Sequence, residues 1–206
     1  MAEIRLAVLL SGGGTTLQNL IDRIADGRLR ARVVQVISNR ADAYGLQRAA
    51  AAGVPTAVVD RKACGSREEF SARLFGLCRG AGADLVCLAG FLQLIQLPDD
   101  FLGRVLNVHP ALIPAFCGKG FYGQRVHEAV LASGVKVSGP TVHFCDDHYD
   151  TGPIILQEAV PVLDNDTAES LAARVQAVER RLVPEAIRLF AEGRLVIDGR
   201  RVRVAR

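Results

Sequence analysis

The stretch from residue 5 to residue 24, RLAVLLSGGGTTLQNLIDRI, decides the fold class of this 206-residue chain. An apolar run over residues 5–10 ends at a serine and three glycines, and apolar residues then recur at helical spacing from Leu17 to Ile24. A second apolar run, Ala31 to Ser38, follows the helix. The order of strand, glycine loop, helix and strand predicts one βαβ unit with a right-handed crossover.

The same alternation continues toward the middle of the chain. Helices are predicted over Leu46 to Ala52 and Arg67 to Arg79, and short apolar runs predict strands over Thr56 to Val59, Asp84 to Ala89 and Arg104 to Val108. Strands that alternate with helices in this way build a parallel sheet with helices on both faces. The predicted fold class is therefore α/β, a doubly wound, mostly parallel, Rossmann-like sheet.

The last third of the chain predicts an antiparallel extension and a long helix. Strands are predicted over Thr141 to Phe144 and Ile154 to Val162. An amphipathic helix is predicted over Thr167 to Phe190, with Asp164 to Asp166 as its capping residues. The dipeptide Asp198-Gly199 between two alternating runs predicts a type I′ hairpin.

The composition excludes several classes of protein. With 50% hydrophobic and 23% charged residues, the chain predicts a single compact domain over residues 1–206. A net charge of +3 is too small to indicate binding to nucleic acid. No stretch reaches the ~20 apolar residues that span a bilayer, and the first residues lack the features of a signal peptide, so we expect no membrane association. Five cysteines without a CxxC pair indicate neither a disulfide framework nor a zinc knuckle and favour a cytoplasmic protein.

The glycines Gly12 to Gly14 predict a site for an anion such as a phosphate monoester. They let backbone N–H groups approach a ligand at the positive end of the next helix, where Thr15 and Thr16 add hydroxyl donors. The last glycine of GxGxxG is missing and no GK[ST] follows, which disfavours a nicotinamide dinucleotide, although Arg40 would suit a 2′-phosphate. The alternative is a tight turn that needs glycine for its angles alone. If the anion site is right, valine at Gly14 weakens binding more than folding.

Asn107 and His109 lie two residues apart where a predicted strand ends. Alternation along a strand places both on one side of the chain, at the carboxyl edge of a parallel sheet, where ligands collect. An amide and an imidazole with no nucleophile between them suit stabilisation of a developing oxyanion rather than attack on a substrate. The alternative is a pair of turn and capping residues before Pro110.

The loop Cys145 to Pro153 carries three acids and a histidine between two predicted strands. One of these acids could pair with His109, raise the pKa of its imidazole and orient its tautomer. Two alternatives stay open at this point. Either the loop is only solvated and acidic, or His143, Cys145 and His148 hold a metal, although their spacing matches no familiar zinc or iron pattern.

Seven strings, in this order, resemble the phosphoribosylglycinamide formyltransferase family: LLSGGGTTLQNLID, SNRADAYGLQRA, LAGFLQL, NVHPALIPAF, GPTVHF, YDTGPIILQ and RVQAVERRLVPEAIRLFAEGRL. The resemblance covers nearly the whole chain, and NVHPALIP followed by DTGP is its most specific part. It implies an enzyme of purine biosynthesis that transfers the formyl group of 10-formyltetrahydrofolate, a co-substrate, to the amine of glycinamide ribonucleotide. It also implies a phosphate-binding half over residues 1–100, a catalytic and folate-binding half over residues 101–206, and no metal.

The resemblance implies the site residues position by position. The catalytic trio is Asn107, His109 and Asp150: Asn107 and protonated His109 hold the oxyanion, and Asp150 supports the imidazolium. The substrate contacts are Ser11, Gly12, Gly13, Gly14, Thr15, Thr16, Arg67, Gln176 and Glu179. The folate pocket is lined by Leu88, Ala89, Gly90, Phe91, Leu92, Gln93, Leu94, His143, Asp146 and Asp147.

Three features depart from the family's pattern. Gln93 stands where many relatives have arginine, Thr16 stands where asparagine is common, and the stretch Cys117 to Gln124 is longer than the usual turn before His127. Contacts made by that stretch are therefore not carried over from the family. His127 itself matches a family position near the catalytic histidine, and the alternative is a packed loop histidine.

Two other functions stay as alternatives. One is a noncatalytic nucleotide-binding module that uses the glycine loop alone, and the presence of the whole trio argues against it. The other is a formyltetrahydrofolate hydrolase that lacks its N-terminal regulatory domain, since we expect the chain to have no room for that domain. We expect small-molecule partners only, and a monomer or a homodimer.

Overall fold

The computed structural model describes residues 3–205, and the chain divides into two compact units. The first unit ends at Asn107 and the second begins at Val108. All five cysteines are free thiols. Among residues 3–205, no helix is both long enough and apolar enough to cross a bilayer. That the two units act as one formyltransferase domain stays a prediction.

The first unit is a parallel sheet whose strands alternate with helices. Its elements are β1 (Ile4–Leu10), α1 (Thr15–Ala25), β2 (Ala31–Ser38), α2 (Tyr44–Ala51), β3 (Thr56–Val58), α3 (Arg67–Gly80), β4 (Leu85–Leu88) and β5 (Val105–His109), whose last residues enter the second unit. The strands lie in the order β5, β4, β1, β2, β3, and neighbouring strands are parallel. The predicted α/β class is confirmed, and each helix and strand predicted for this half lies close to its predicted bounds.

Burial explains why the sequences of these strands are continuous apolar runs. In β1 every residue except Arg5 is buried, and β4 is buried along its whole length. A central parallel strand is covered on both faces, so it has no polar face to alternate with. The exposed Arg5 forms an ion pair with Asp84, 2.7 Å away, at the start of the neighbouring strand.

The second unit combines an antiparallel sheet with a long helix. Its elements are α4 (Gln124–Ser133), β6 (Val137–Ser138), β7 (Thr141–Phe144), β8 (Ile154–Gln157), β9 (Val160–Pro161), α5 (Ala168–Ala191), β10 (Leu195–Asp198) and β11 (Arg201–Val204). β7 pairs with β8, and β10 pairs with β11, in antiparallel register, while β11 meets β8 at one residue pair. The predicted antiparallel C-terminal extension and long helix are confirmed.

The prediction of one strand over Ile154 to Val162 is wrong. The structure divides it into β8, which pairs with β7, and β9, which pairs with β6 in a separate two-stranded sheet. The break lies at Glu158, whose carbonyl oxygen packs so closely on Gly139 that a Cβ there would overlap it. The two backbones approach each other here as closely as only glycine allows.

The N-cap of α5 is Thr167, not one of the predicted residues Asp164 to Asp166. The Thr167 hydroxyl accepts the Ser170 N–H at 3.2 Å, and the Ser170 hydroxyl accepts the Thr167 N–H at 2.9 Å. This reciprocal capping box satisfies two N–H groups at the start of the helix. Asp166 instead binds the Arg174 guanidinium at 2.7 Å.

The C-terminal hairpin is present, but its turn is not type I′. Asp198 pairs with Arg201, so the two loop residues are Gly199 and Arg200. Type I′ needs positive φ at both loop residues, and here only Gly199 has it, at 57°. Glycine at the first loop position is the pattern of a type II′ turn.

Candidate active site

The glycine loop joins β1 to α1 in the first unit. Gly14, with φ +69°, is the N-cap of α1. The Gly12 carbonyl accepts the Gly45 N–H at 3.0 Å, and the Gly13 carbonyl accepts the Arg48 guanidinium at 2.9 Å. The N–H groups of Gly13 and Gly14 have no acceptor among residues 3–205. The loop therefore offers backbone donors beside a helix N-terminus, which is the chemistry of an anion site.

The packing of the fold itself requires glycine at position 14. A Cβ on Gly14 would lie 2.7 Å from the Gly45 Cα, and the backbone there is left-handed. The expectation that valine at Gly14 weakens binding more than folding is therefore wrong, because the side chain would collide with α2 rather than with a ligand. Gly12 and Gly13 differ, since a Cβ on either one meets no atom within 4 Å.

Ser11 brings the predicted substrate loop and the predicted folate segment together. Its N–H donates to the Gly90 carbonyl at 3.1 Å, and its hydroxyl accepts the Leu92 N–H at 2.9 Å. The same hydroxyl donates to Asn39 Oδ1 at 2.6 Å. Ser11 is buried, so these bonds assign it a structural part in holding the two segments side by side.

The folate segment Leu88 to Leu94 is partly buried and partly open. Ala89 and Phe91 are buried, while Leu92 is 46% exposed and Gln93 and Leu94 are half-buried. The rings of Phe70 and Phe91 stack with centroids 6.3 Å apart, so α3 packs against this segment. An exposed leucine beside buried apolar residues fits the predicted apolar pocket wall.

Two arginines of the first unit were candidates for anion contacts. Arg67, the first residue of α3, is half-buried, and among residues 3–205 no hydrogen bond or ion pair joins it to the glycine loop. Its phosphate contact stays a prediction. Arg40, considered for a 2′-phosphate, already forms an ion pair with Asp42 at 2.6 Å.

His109, the last residue of β5, is the centre of a polar cluster in the second unit. Its side chain is only 4% exposed. Its Nδ1 lies 3.5 Å from Asp150 Oδ2, and its Nε2 lies 2.8 Å from the Phe116 carbonyl oxygen. A carbonyl can only accept, so the proton of the neutral ring is assigned to Nε2. Asp150 Oδ2 also accepts the Gly118 N–H at 2.9 Å.

Both acceptors of His109 come from residues in an uncommon backbone conformation. Phe116 has φ +51° and Asp150 has φ +57°, and no other described residue except glycine has positive φ. Such a conformation costs about 1–3 kcal/mol for a residue with a side chain, and it concentrates at functional sites. The surrounding contacts therefore hold these two residues where they face the imidazole.

His143 contributes a second buried imidazole. Its Nε2 lies 3.7 Å from Asp150 Oδ1, and its Nδ1 lies 2.8 Å from the Phe144 carbonyl oxygen. The residue predicted for the folate pocket thus lies beside the carboxylate of the predicted catalytic trio. Within the described part of the chain, no group of three or more His, Cys, Asp or Glu is arranged to hold a metal ion, so His143, Cys145 and His148 do not form one.

The remaining predicted residues occupy separate positions. Asn107 is half-buried on β5, two residues before His109 and opposite Leu88 of β4. In the loop after β7, the Asp146 carboxylate accepts the Thr151 hydroxyl at 2.7 Å, and Asp147 is exposed. On α5, Gln176 is exposed and Glu179 is partly buried.

Burial controls the charge states in the cluster. It lowers the pKa of His109 below its ordinary value, although the Asp150 carboxylate and the Phe116 carbonyl oppose the shift. The neighbouring Asp150 carboxylate does raise this pKa, as expected, but the effect of burial, which the sequence analysis does not include, is larger and makes the net shift downward. Burial would raise the pKa of Asp150, but contact with His143, the nearby His109 imidazole and the Gly118 N–H hold it below its usual value.

Three participants were missed by the sequence analysis: the Phe116 carbonyl, the Gly118 N–H and Arg48. The Phe116 carbonyl and the Gly118 N–H act through backbone atoms, which leave no signal in residue identity. Arg48 reaches Gly13 from another helix, 35 positions along the chain. His127 on α4 is buried with its Nδ1 unpartnered, and burial together with nearby His109 lowers its pKa. The family resemblance matches His127 to a position near the catalytic histidine, and the structure places it buried on α4, close enough to His109 for that imidazole to affect the pKa of His127.

Comparison with known proteins identifies the relatives of this chain. Residues 4–187 match the formyl transferase family. Glycinamide ribonucleotide transformylase 1 from Symbiobacterium toebii is 52% identical and superposes with a TM-score of 0.92, with 98% of this chain and 94% of that chain covered.

Curated relatives are longer than this chain. The chloroplastic phosphoribosylglycinamide formyltransferase of Vigna unguiculata is 42% identical over 93% of this chain and 62% of the relative. The trifunctional purine biosynthetic protein adenosine-3 of Gallus gallus is 42% identical over 93% of this chain and 19% of the relative. The chain therefore spans less than two thirds of either relative's length.

We expect alanine at Gly13 and at Gly14 to have opposite consequences for folding. Gly14→Ala should lower the free energy of unfolding by about 2–4 kcal/mol, because it combines a left-handed backbone with a collision against Gly45. Gly13→Ala has open space and serves as the matched control, with a change within about 0.5 kcal/mol. Urea unfolding followed by circular dichroism measures both, and equal losses would contradict the assignment.

Glu179 should make stability depend on pH. Burial raises the pKa of its carboxyl to about 7 from an ordinary value of 4.5. Because the folded state binds this proton more tightly than the unfolded state, the stabilisation is complete below pH 4.5 and is lost as pH rises through 7. Glu179→Gln should remove about 2–3 kcal/mol of the stability difference between about pH 4.5 and about pH 8. Urea unfolding at both pH values tests this, with Glu128→Gln on the exposed face of α4 as control. An unchanged pH slope in Glu179→Gln would refute it.

Proposed function

Because the chain belongs to the formyl transferase family, we propose that it transfers the formyl group of 10-formyltetrahydrofolate to the amine of glycinamide ribonucleotide, in purine biosynthesis. The relatives named above support this choice of acceptor. The observation that carries the proposal is the buried contact between His109 and Asp150, 3.5 Å apart, at the positions that the family resemblance assigns to catalysis. A noncatalytic module would have no use for a buried pair of this kind.

The proposed phosphate site is the glycine loop. The N–H groups of Gly13 and Gly14 and the N-terminus of α1 would hold the substrate's phosphate, with hydroxyls from Thr15 and Thr16. Arg67 is proposed as a second phosphate contact, and Gln176 and Glu179 as contacts to the ribose side. A Glu179 carboxyl with a raised pKa can donate as well as accept a hydrogen bond near neutral pH.

The proposed chemistry is a direct attack by the amine. The amine nitrogen forms a bond to the formyl carbon, and the carbonyl electron pair moves onto oxygen. Asn107 and His109 would donate hydrogen bonds to that oxyanion. For this, the His109 Nε2–H must leave the Phe116 carbonyl and donate to the oxyanion instead. An oxyanion accepts more strongly than a neutral carbonyl, which favours the exchange.

The proposed proton path uses the pair His109 and Asp150. The attacking nitrogen becomes positively charged and loses a proton to this pair, directly or through water. Collapse of the intermediate re-forms the carbonyl and breaks the bond to N10 of the folate, and the proton passes to N10. One proton leaves the amine and one reaches tetrahydrofolate, so no activated Ser or Cys nucleophile is needed. His143 beside Asp150 is proposed to orient the carboxylate.

The proposed folate site is the segment Leu88 to Leu94 with the backbone of Asp146 and Asp147. Exposed Leu92 would supply apolar contact to the pterin. Free thiols support a reducing compartment, and we propose the cytoplasm. We propose no metal or nucleic-acid partner, and either a monomer or a homodimer.

A coupled assay tests the proposed function. Purified protein is mixed with 10-formyltetrahydrofolate, with and without glycinamide ribonucleotide, and both tetrahydrofolate and formate are measured. We expect tetrahydrofolate only when the ribonucleotide is present, and no formate. Formate released without the ribonucleotide would indicate the hydrolase, and no turnover at all would contradict the proposal.

Replacing His109 should remove most of the rate. We expect His109→Ala to lower kcat by about 10²–10³-fold, the usual loss for an oxyanion donor, and Asp150→Asn to lower kcat while keeping the size of the side chain. His148→Ala, an exposed histidine in the same loop as Asp150, is the control and should keep its rate. Thermal melting confirms that each variant is folded. Near-normal turnover by folded His109→Ala would overturn the mechanism.

A further inference from the structure

Helix α2 holds the glycine loop by two successive carbonyls. The Gly45 N–H donates to the Gly12 carbonyl at 3.0 Å, and Arg48 Nε donates to the Gly13 carbonyl at 2.9 Å. In a planar trans peptide, the carbonyl of one residue and the N–H of the next point in opposite directions. Because both carbonyls point toward α2, the N–H groups of Gly13 and Gly14 point away from it. The two hydrogen bonds from α2 therefore determine the direction in which the N–H groups of the loop point.

Arg48 is the one side chain of α2 that makes these bonds, and further contacts fix its guanidinium in place. Its Nη1 donates to Gln18 Oε1 on α1 at 3.0 Å, and its guanidinium carbon lies 4.9 Å from the centre of the Tyr44 ring. The Gly13 carbonyl, the Gln18 amide and the Tyr44 ring together fix the position of the planar guanidinium. A planar fork of this kind loses little entropy for each bond that it forms.

The charge of Arg48 is not compensated by an acid. Its contacts are a carbonyl, an amide oxygen and an aromatic ring, and among residues 3–205 no carboxylate forms an ion pair with it. The neighbouring Arg40 is different, since Asp42 lies 2.6 Å from its guanidinium. A cation without a counter-charge raises the positive potential at the loop, where an anion would bind.

We propose that Arg48 is a positioning residue for the phosphate of the substrate. It fixes the Gly13 carbonyl so that the Gly14 N–H faces the anion, and its charge adds to the attraction. This inference rests on the proposed function for the identity of the anion, but the orientation of the loop does not. Nothing in its residue type would reveal this part, because Arg48 acts through a backbone group of a distant loop.

The experiment compares Arg48→Gln and Arg48→Lys with the wild type. Arg28→Gln is the control, because Arg28 is exposed and already paired with Asp26. The KM for glycinamide ribonucleotide, the KM for 10-formyltetrahydrofolate, kcat and the thermal midpoint are measured for each protein. Inorganic phosphate binding to the wild type and to Arg48→Gln is measured separately by calorimetry.

We expect Arg48→Gln to raise the KM for the ribonucleotide about 10–100-fold, the range for a lost bond to a charged group, with kcat and the KM for the folate nearly unchanged. Arg48→Lys should restore only part of this, because its point charge cannot bridge Gly13 and Gln18 together. Phosphate binding should weaken in parallel. This arm separates the two proposals: if the wild type does not formylate the ribonucleotide but phosphate binding still depends on Arg48, only the proposed function fails.

Two results would overturn the role of Arg48. One is a ribonucleotide KM and a phosphate affinity within about twofold of the wild type in Arg48→Gln, which is smaller than the loss of even a weak charged contact. The other is an equal rise in both KM values together with a lowered thermal midpoint, which would mark a residue that only stabilises the fold. Full recovery in Arg48→Lys would contradict positioning, since charge alone would then suffice.

Discussion

The candidate site in the second unit depends on the contacts of one buried group, the imidazole of His109, with two hydrogen-bond acceptors. Asp150 Oδ2 faces one ring nitrogen at 3.5 Å and the Phe116 carbonyl faces the other at 2.8 Å. A neutral imidazole can donate to only one of them, whereas an imidazolium donates to both. Burial keeps the ring neutral, and the two acceptors prepare it to receive a proton. Both acceptors belong to residues with positive φ, Phe116 and Asp150, a strained conformation of the kind that concentrates at functional sites.

The glycine loop of the first unit follows a related principle. Its useful groups are backbone N–H donors, and these are aimed by bonds made on their far side, from Gly45 and Arg48. Gly14 and Gly45 are small because their backbones approach each other, while Gly13 is small beside open space. Neighbouring glycines in one motif therefore have different reasons for being glycine.

Much of the fold could be predicted because strands buried on both faces must be apolar along their length, as β1 and β4 are. The break between β8 and β9 could not, because it lies where Glu158 packs on Gly139, a contact between two separate segments that the local pattern of residues does not reveal. The candidate site shows the same division. Side chains such as His109 and Asp150 were identified by type and family pattern, whereas the Phe116 carbonyl, the Gly118 N–H and the net pKa of His109 depend on burial and backbone placement.

The pKa of the His109 imidazole, measured by nuclear magnetic resonance in the wild type and in Asp150→Asn, tests the central claim most directly. If burial outweighs the carboxylate, the wild-type ring titrates below its ordinary value of 6.5, and removing the Asp150 charge lowers the pKa further. A wild-type pKa at or above 6.5, or one that is the same in both proteins, would contradict the account of a buried ring held in contact with that carboxylate.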